Sequence, residues 1–172
     1  MEKTNNEDIA KKGKEGEDAL NSWLKEQQLP YVNISQSPDT FADLFSNSVK
    51  RPDFLLLIQS MGLIAIDAKN YKLSGGTFTL NLERELLKMI TFERLFRIPI
   101  WFAYMQEGGK CWYWISGLKV IEVGKTREQK ESGEKFLAIR KEDCAEVRTT
   151  EDLGKLYTQK IHSAENIKNM IH

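Results

Sequence analysis

Two short runs constrain most of what this chain can fold into. Arg51-Pro52-Asp53-Phe54-Leu55-Leu56-Leu57-Ile58 and Leu63-Ile64-Ala65-Ile66-Asp67-Ala68-Lys69 have the length and apolar character of strands, yet each carries a carboxylate where a buried strand should be wholly apolar. Gln59-Ser60-Met61-Gly62 between them reads as a turn, so the pair forms a hairpin that brings Asp53, at the start of the first strand, towards Asp67, near the end of the second. Side chains two apart share a face of a strand, which sends Asp67 and Lys69 one way and Ala68 the other. Taken singly, these residues have plain readings: an ion pair on a solvated strand for Asp67 and Lys69, and the ordinary opening of a strand for Pro52-Asp53. The uninterrupted apolar flank Leu63 to Ile66, however, suits a strand covered on both faces, and charges on such a strand need a polar cavity.

A third carboxylate follows from helical spacing. Thr4 with Glu7 makes a capping-box pattern that starts a helix running to about Gln28. Its stripe Gly13, Gly16, Leu20, Trp23 and Leu24 repeats at three- and four-residue intervals, and Glu17 falls inside it while Glu15 and Asp18 fall further round. A carboxylate among core-facing positions is costly unless it has a charged or metal partner. The glycines suit a helix backbone lying close to a sheet or a phosphate, or else a break between two shorter helices.

Pro52-Asp53 followed about fourteen positions later by Asp67-Ala68-Lys69 resembles the PD-(D/E)xK signature of metal-dependent nucleases. Gly13-Lys14-Glu15-Gly16-Glu17, opening the run Ala19 to Leu24, looks like the first-helix glutamate of the Holliday-junction-resolvase-like branch of that restriction-endonuclease-like superfamily, and the likeness covers roughly the first two thirds of the chain. The resemblance implies an α/β fold with an αβββαβ core, a mixed central sheet flanked by helices, and a C-terminal helix, in one domain over residues 1–172. It implies a Mg²⁺-dependent DNA endonuclease, with Mn²⁺ able to substitute, acting on structured or duplex DNA as a homodimer. Glu17, Asp53, Asp67 and Lys69 would be the catalytic set, and Glu17, Asp53, Asp67 and the carbonyl of Ala68 the metal ligands. The chemistry suits those residue types. Carboxylates converging to about 4 Å repel by roughly 4 kcal/mol per pair at an effective dielectric near 20, which a divalent cation relieves; hard oxygen donors suit Mg²⁺; and a lysine can stabilise the charge developing on a phosphate. A rival of another class is a non-catalytic nucleic-acid-binding or assembly subunit, of a transposase or defence complex, that keeps the nuclease fold.

Along the chain the patterns predict a strand near Tyr31–Ser35, a loop or short helix around Asp39–Ser46, and after the hairpin a loop over Asn70–Thr79, with Ser74-Gly75-Gly76 mobile beside the site. Asn81 would cap a helix over Leu82–Arg97. Ile98–Tyr104 and Lys110–Val123 read as strands around a Glu107-Gly108-Gly109 turn, Phe136–Ile139 as an edge strand and Thr150–Ile171 as a closing helix. Alternation sends Tyr113 to one face and Trp112 and Trp114 to the other, making this run either core or a two-fold dimer contact.

Composition sets bounds. With 172 residues and 41% hydrophobic content the chain has room for a proper core, and its 29% charged residues balance to zero net charge, which argues against a strong non-specific nucleic-acid binder. Local clusters matter more: Lys12 and Lys14 precede Glu17, Lys50 and Arg51 precede Asp53, and Lys72 follows Lys69, while Arg84 and Lys88 lie one turn apart on the second helix, so all seven are candidate phosphate contacts. Cys111 and Cys144 are too few for a disulfide framework, and His162 and His172 sit near the C-terminus, away from the other candidates, which disfavours a histidine-based zinc or acid–base site. The polar N-terminus has no secretory apolar segment and no run approaches about eighteen apolar residues, so a soluble, cytoplasmic protein with no membrane partner is expected.

Overall fold

The computed structural model describes residues 2–158 except 41, 46 and 131. Helix α1 (Glu2–Glu26) leads into β1 (Tyr31–Asn33), two short 3₁₀ turns, and the hairpin of β2 (Phe54–Ile58) and β3 (Gly62–Lys69). Strand β4 (Thr77–Asn81) follows, then a π-helical turn over Leu82–Leu87 running into α2 (Lys88–Phe96), β5 (Ile100–Gln106), β6 (Cys111–Ser116) and α3 (Gly117–Val123). The described chain closes with β7 (Lys125–Glu128), β8 (Lys135–Arg140), β9 (Ala145–Val147) and α4 (Gly154–Thr158).

Among the described residues these strands make a six-stranded sheet in the order β1-β2-β3-β5-β6-β9 and a three-stranded sheet in the order β4-β8-β7. The larger sheet is mixed: β3 pairs antiparallel with β2, with Phe54 opposite Ile66, and parallel with β5, with Asp67 opposite Phe102 and Lys69 opposite Tyr104. The protein is therefore α/β, as the hairpin and the helix that follows it predict.

Strand alternation sorts the core into two layers. Ile64, Ile66 and Ala68 of β3, with Trp101, Ala103, Trp112 and Trp114, pack beneath Leu20, Trp23 and Leu24 of α1 and Leu156 of α4. The opposite face, carrying Ala65, Phe102, Tyr104 and Tyr113, is covered by Phe78 and Leu80 of β4, Leu137 and Ile139 of β8, and Met89 and Phe92 of α2. With cover on both sides, β3 is a central strand, which accounts for its continuous apolar run.

Several expectations change. The helix already runs at Glu2, ahead of the capping pattern at Thr4. Asn70–Thr79 is not one mobile loop: Gly75 and Gly76, with φ of 54° and 74°, form a two-residue hairpin turn closed by reciprocal Ser74–Thr77 backbone hydrogen bonds, and β4 begins at Thr77. Lys110–Val123 is not one strand, because Ser116 caps a helix there by accepting from the Lys119 amide. The strand around Phe136–Ile139 is not an edge, since β8 pairs on both sides, with β4 and β7. Of the closing helix, α4 is observed as far as Thr158, and the remainder of Thr150–Ile171 lies outside the described residues.

Trp112, Tyr113 and Trp114 are 0%, 5% and 0% exposed, so the expected dimer contact is corrected: each face of β6 is covered from within the same chain. Trp114 packs its ring 6.3 Å from that of Trp23, pinning α1 to the sheet. Trp114→Ala is accordingly expected to cost about 3–5 kcal/mol in urea unfolding with no change of oligomeric state. A loss under about 1 kcal/mol together with a changed oligomeric state would instead put the ring at a contact between copies.

Candidate metal centre

The sequence places its unusual charges where strands end. Asp53 immediately precedes β2, its amide donating to the Ile66 carbonyl at 2.9 Å and its Oδ2 accepting from the Ala68 amide at 2.7 Å. That amide lies past the end of β2, so the carboxylate stands in for a missing strand partner. An extended residue sends its N–H and C=O to the same side, so the Ala68 carbonyl also faces the region beyond β2. Asp67 and Lys69, 1% and 4% exposed, share the β3 face that α2 and the smaller sheet cover.

Two ammonium groups meet Asp67. Lys50 Nζ donates to Oδ1 at 2.8 Å, and Lys69 Nζ pairs with Oδ2 at 2.5 Å. Both lysines also reach Glu85 Oε1, Lys50 at 3.4 Å and Lys69 in closer contact. Glu85 was not apparent from sequence. It sits in the π-helical turn after Asn81, whose side chain accepts from the Arg84 amide and whose own amide lies 3.4 Å from Glu85 Oε2. A π-turn carries an extra residue per turn and so re-aims its side chains.

These residues line one cleft of about 630 Å³ with Lys12, Glu15, Glu17, Gln36, Tyr71 and Lys72. A smaller polar hollow of about 210 Å³ adjoins it, sharing Glu17, Gln36 and Asp53 and adding Lys14, Asn33 and Ser35. Glu17, half-buried, thus reaches the cleft from α1, as its place in the stripe predicts. Glu15 also lines the cleft although it is exposed, and Asp18, paired with Lys14 at 3.4 Å, lines the adjoining hollow, so neither projects wholly away from the site as expected. A further residue not foreseen is Asn70, which donates to the Lys12 carbonyl at 3.1 Å and so ties the end of β3 to α1. A methyl group at Gly16 would come within 3.1 Å of Asn70 Cβ, so the close approach expected of the glycines occurs there, whereas Gly13 has open space.

The candidate phosphate contacts divide. Lys12, Lys50 and Lys72 line the cleft and Lys14 the adjoining hollow. Arg51 donates instead to the Ser35, Gln36 and Ser37 carbonyls, bracing the loop after β1. Arg84 pairs with Glu134 in a separate hollow, and Lys88 opens α2, its carbonyl accepting from the Lys50 amide at 3.4 Å. His162 and His172 lie outside the described residues.

Burial, then the neighbouring Asp67 charge, pushes Asp53 up to about 8, against the Ala68 amide and Lys50, which favour its anion. Burial also pushes Asp67 up, but Lys50 and Lys69 outweigh it and hold Asp67 below its ordinary range. Lys69 would lose its proton through burial, yet Asp67 and Glu85 hold it well above the usual lysine range. Burial raises Glu17 as well, with Lys14 opposing and Asp67 reinforcing.

Among the described residues no three His, Cys, Asp or Glu side chains are gathered closely enough to hold an ion as they stand. The donor chemistry nonetheless suits a hard divalent cation: Asp53 and Asp67 are buried carboxylates, and the Ala68 carbonyl faces past β2. No helix among the described residues is long and apolar enough to cross a membrane. Compared with protein-family models, with curated proteins and with solved structures, the chain matches none.

The opposed shifts of the two aspartates define two pH windows. Asp53 binds its proton more tightly folded than unfolded, so its contribution to stability is complete below its ordinary value of 3.8 and is lost as pH rises through about 8. Asp67 behaves oppositely, its contribution being present above 3.8 and lost as pH falls through its lowered folded value. In chelator, the parent protein should therefore melt at progressively lower temperature as pH rises from about 4 to 8 and level off above that, and Asp53→Asn, which can still accept from Ala68, should flatten that decline. Parallel pH profiles for the two proteins would show that Asp53 ionises normally.

Proposed function

We propose that this chain is a Mg²⁺-dependent endonuclease of the PD-(D/E)xK type, cleaving phosphodiester bonds of DNA, with a restriction-endonuclease-like core. The observation that carries the reading is the meeting of Asp53, Asp67 and Lys69, all nearly inaccessible, at the ends of β2 and β3, in a cleft that Glu17 also lines. An ordinary surface ion pair needs neither burial nor a second carboxylate whose proton is held to about 8. Glu17, Asp53, Asp67 and the carbonyl of Ala68 would hold the ion, and Mn²⁺ would serve in place of Mg²⁺. Bound there, the ion supplies Lewis acidity towards the scissile phosphate and the attacking water.

The chain's own groups do the rest. Lys69 stays protonated between Asp67 and Glu85, so its positive charge is fixed in place before substrate arrives and acts where negative charge grows on the phosphate as the ester bond breaks. Its ammonium also lies 5.9 Å from the centre of the Phe102 ring, which shields it from water. Lys12 and Lys72, which line the cleft, would contact backbone phosphates of the substrate. The neutral net charge of the whole chain fits a binder that relies on this local cluster.

The test is a cleavage assay on labelled linear duplex, single strand, flap and four-way junction, with Mg²⁺, with Mn²⁺ and in excess chelator. Cleavage should require the metal, and Lys69→Ala, shown to be folded by circular dichroism, should lose at least about a hundredfold in rate. Cleavage undiminished in chelator, or a fully active Lys69→Ala, would refute the reading. In the same assay Glu17→Gln should lose activity while keeping its fold, and Glu15→Gln should change little. The reverse result would reject Glu17 as the third carboxylate.

A further inference from the structure

On the wall of the cleft four charges alternate: Lys50, Asp67, Lys69 and Glu85. Lys50 Nζ lies 2.8 Å from Asp67 Oδ1 and 3.4 Å from Glu85 Oε1, while Lys69 Nζ sits between Asp67 and Glu85. Each oxygen of Asp67 thus already faces an ammonium group. A divalent cation cannot share an oxygen's open side with an ammonium at that range, because the two positive charges repel, so one lysine must leave as the ion arrives.

The two lysines differ in their freedom to do so. The Lys69 side chain is 5% exposed and packed over Phe102, whereas that of Lys50 is 33% exposed and opens on the cleft. The Lys50 backbone is tethered, its amide directed at the Lys88 carbonyl, so only the side chain needs to swing. The carboxylate placed to receive it is Glu85, already within 3.4 Å and held in its turn through Asn81.

We propose that Lys50 is a built-in counter-cation of Asp67 that a divalent ion displaces, and that Glu85 receives the displaced ammonium. This rests on the reading of Asp53 and Asp67 as metal ligands. Without metal, Lys50 keeps a buried carboxylate compensated; with metal, the same ammonium moves aside and leaves Asp67 to the ion. The metal-free site is thereby stabilised at the expense of metal affinity, so metal binds only against an internal competitor.

The experiment is calorimetric titration of Mn²⁺ and Mg²⁺ into the full chain, with melting temperatures measured in parallel. Lys50→Met should melt lower than the parent in chelator, bind Mn²⁺ about tenfold or more tightly, and gain more in melting temperature from saturating Mn²⁺. Glu85→Gln should weaken Mn²⁺ binding in the parent, and that penalty should shrink when Lys50→Met is already present, because the lysine that Glu85 would receive is gone. If Lys50→Met does not fold in chelator, Lys50→Gln, which retains a donor for Asp67, is measured instead with the same expectations. Measurable but equal Mn²⁺ affinity in parent and variant, or additive effects of the two substitutions, would overturn the displacement and leave the metal site standing. Absence of binding by both proteins at millimolar Mn²⁺ would overturn the metal site itself.

Discussion

The ion pairing of Asp67 is the interaction on which the rest of this molecule depends. A carboxylate 1% exposed in a central strand is tolerable only with full compensation, and it has two ammonium groups within 2.8 Å. Those lysines come from separate places, the segment before β2 and the end of β3, so the pairing also fixes how the hairpin closes. Asp53, beside it, receives an amide hydrogen bond and is left largely protonated near neutral pH.

The fold serves this site by enclosing β3. Leu20, Trp23 and Leu24 of α1 cover one face, while the smaller sheet and α2 cover the other, which removes water from Asp67 and Lys69. The cleft opens only where the strands run out, and there α1 is drawn in by the close fit of Gly16 against Asn70. That approach is what brings Glu17, from the opposite layer, to the same cleft as the two aspartates. A larger residue at position 16 would push the helix, and Glu17 with it, away from the end of β3.

Much of this was legible in the residues themselves. The hairpin, the placing of Asp53, Asp67 and Lys69, the helical phase of Glu17 and the Asn81 cap all follow from local rules of alternation, periodicity and capping. What escaped was set by longer-range structure. Glu85 escaped because a π-turn breaks the 3.6-residue period by which faces are assigned. The helix Gly117–Val123 escaped because Leu118, Val120, Ile121 and Val123 read as strand residues, although Ser116 and Gly124 at its ends were the available signal. The smaller sheet was hidden since β7 is exposed at every residue and only Phe78 and Leu80 mark β4 as alternating. Arg51 reads as a phosphate contact by its place beside Asp53, but three backbone carbonyls claim its guanidinium.

Whether a divalent cation completes the buried carboxylate pair is read directly by anomalous diffraction at the manganese edge from crystals of the chain soaked in Mn²⁺. A single strong peak bounded by Asp53, Asp67 and the Ala68 carbonyl is expected, with Lys50 Nζ moved off Asp67. A structure with Mn²⁺ elsewhere or nowhere, and Lys50 and Lys69 still both on Asp67, would contradict completion of the pair by a cation.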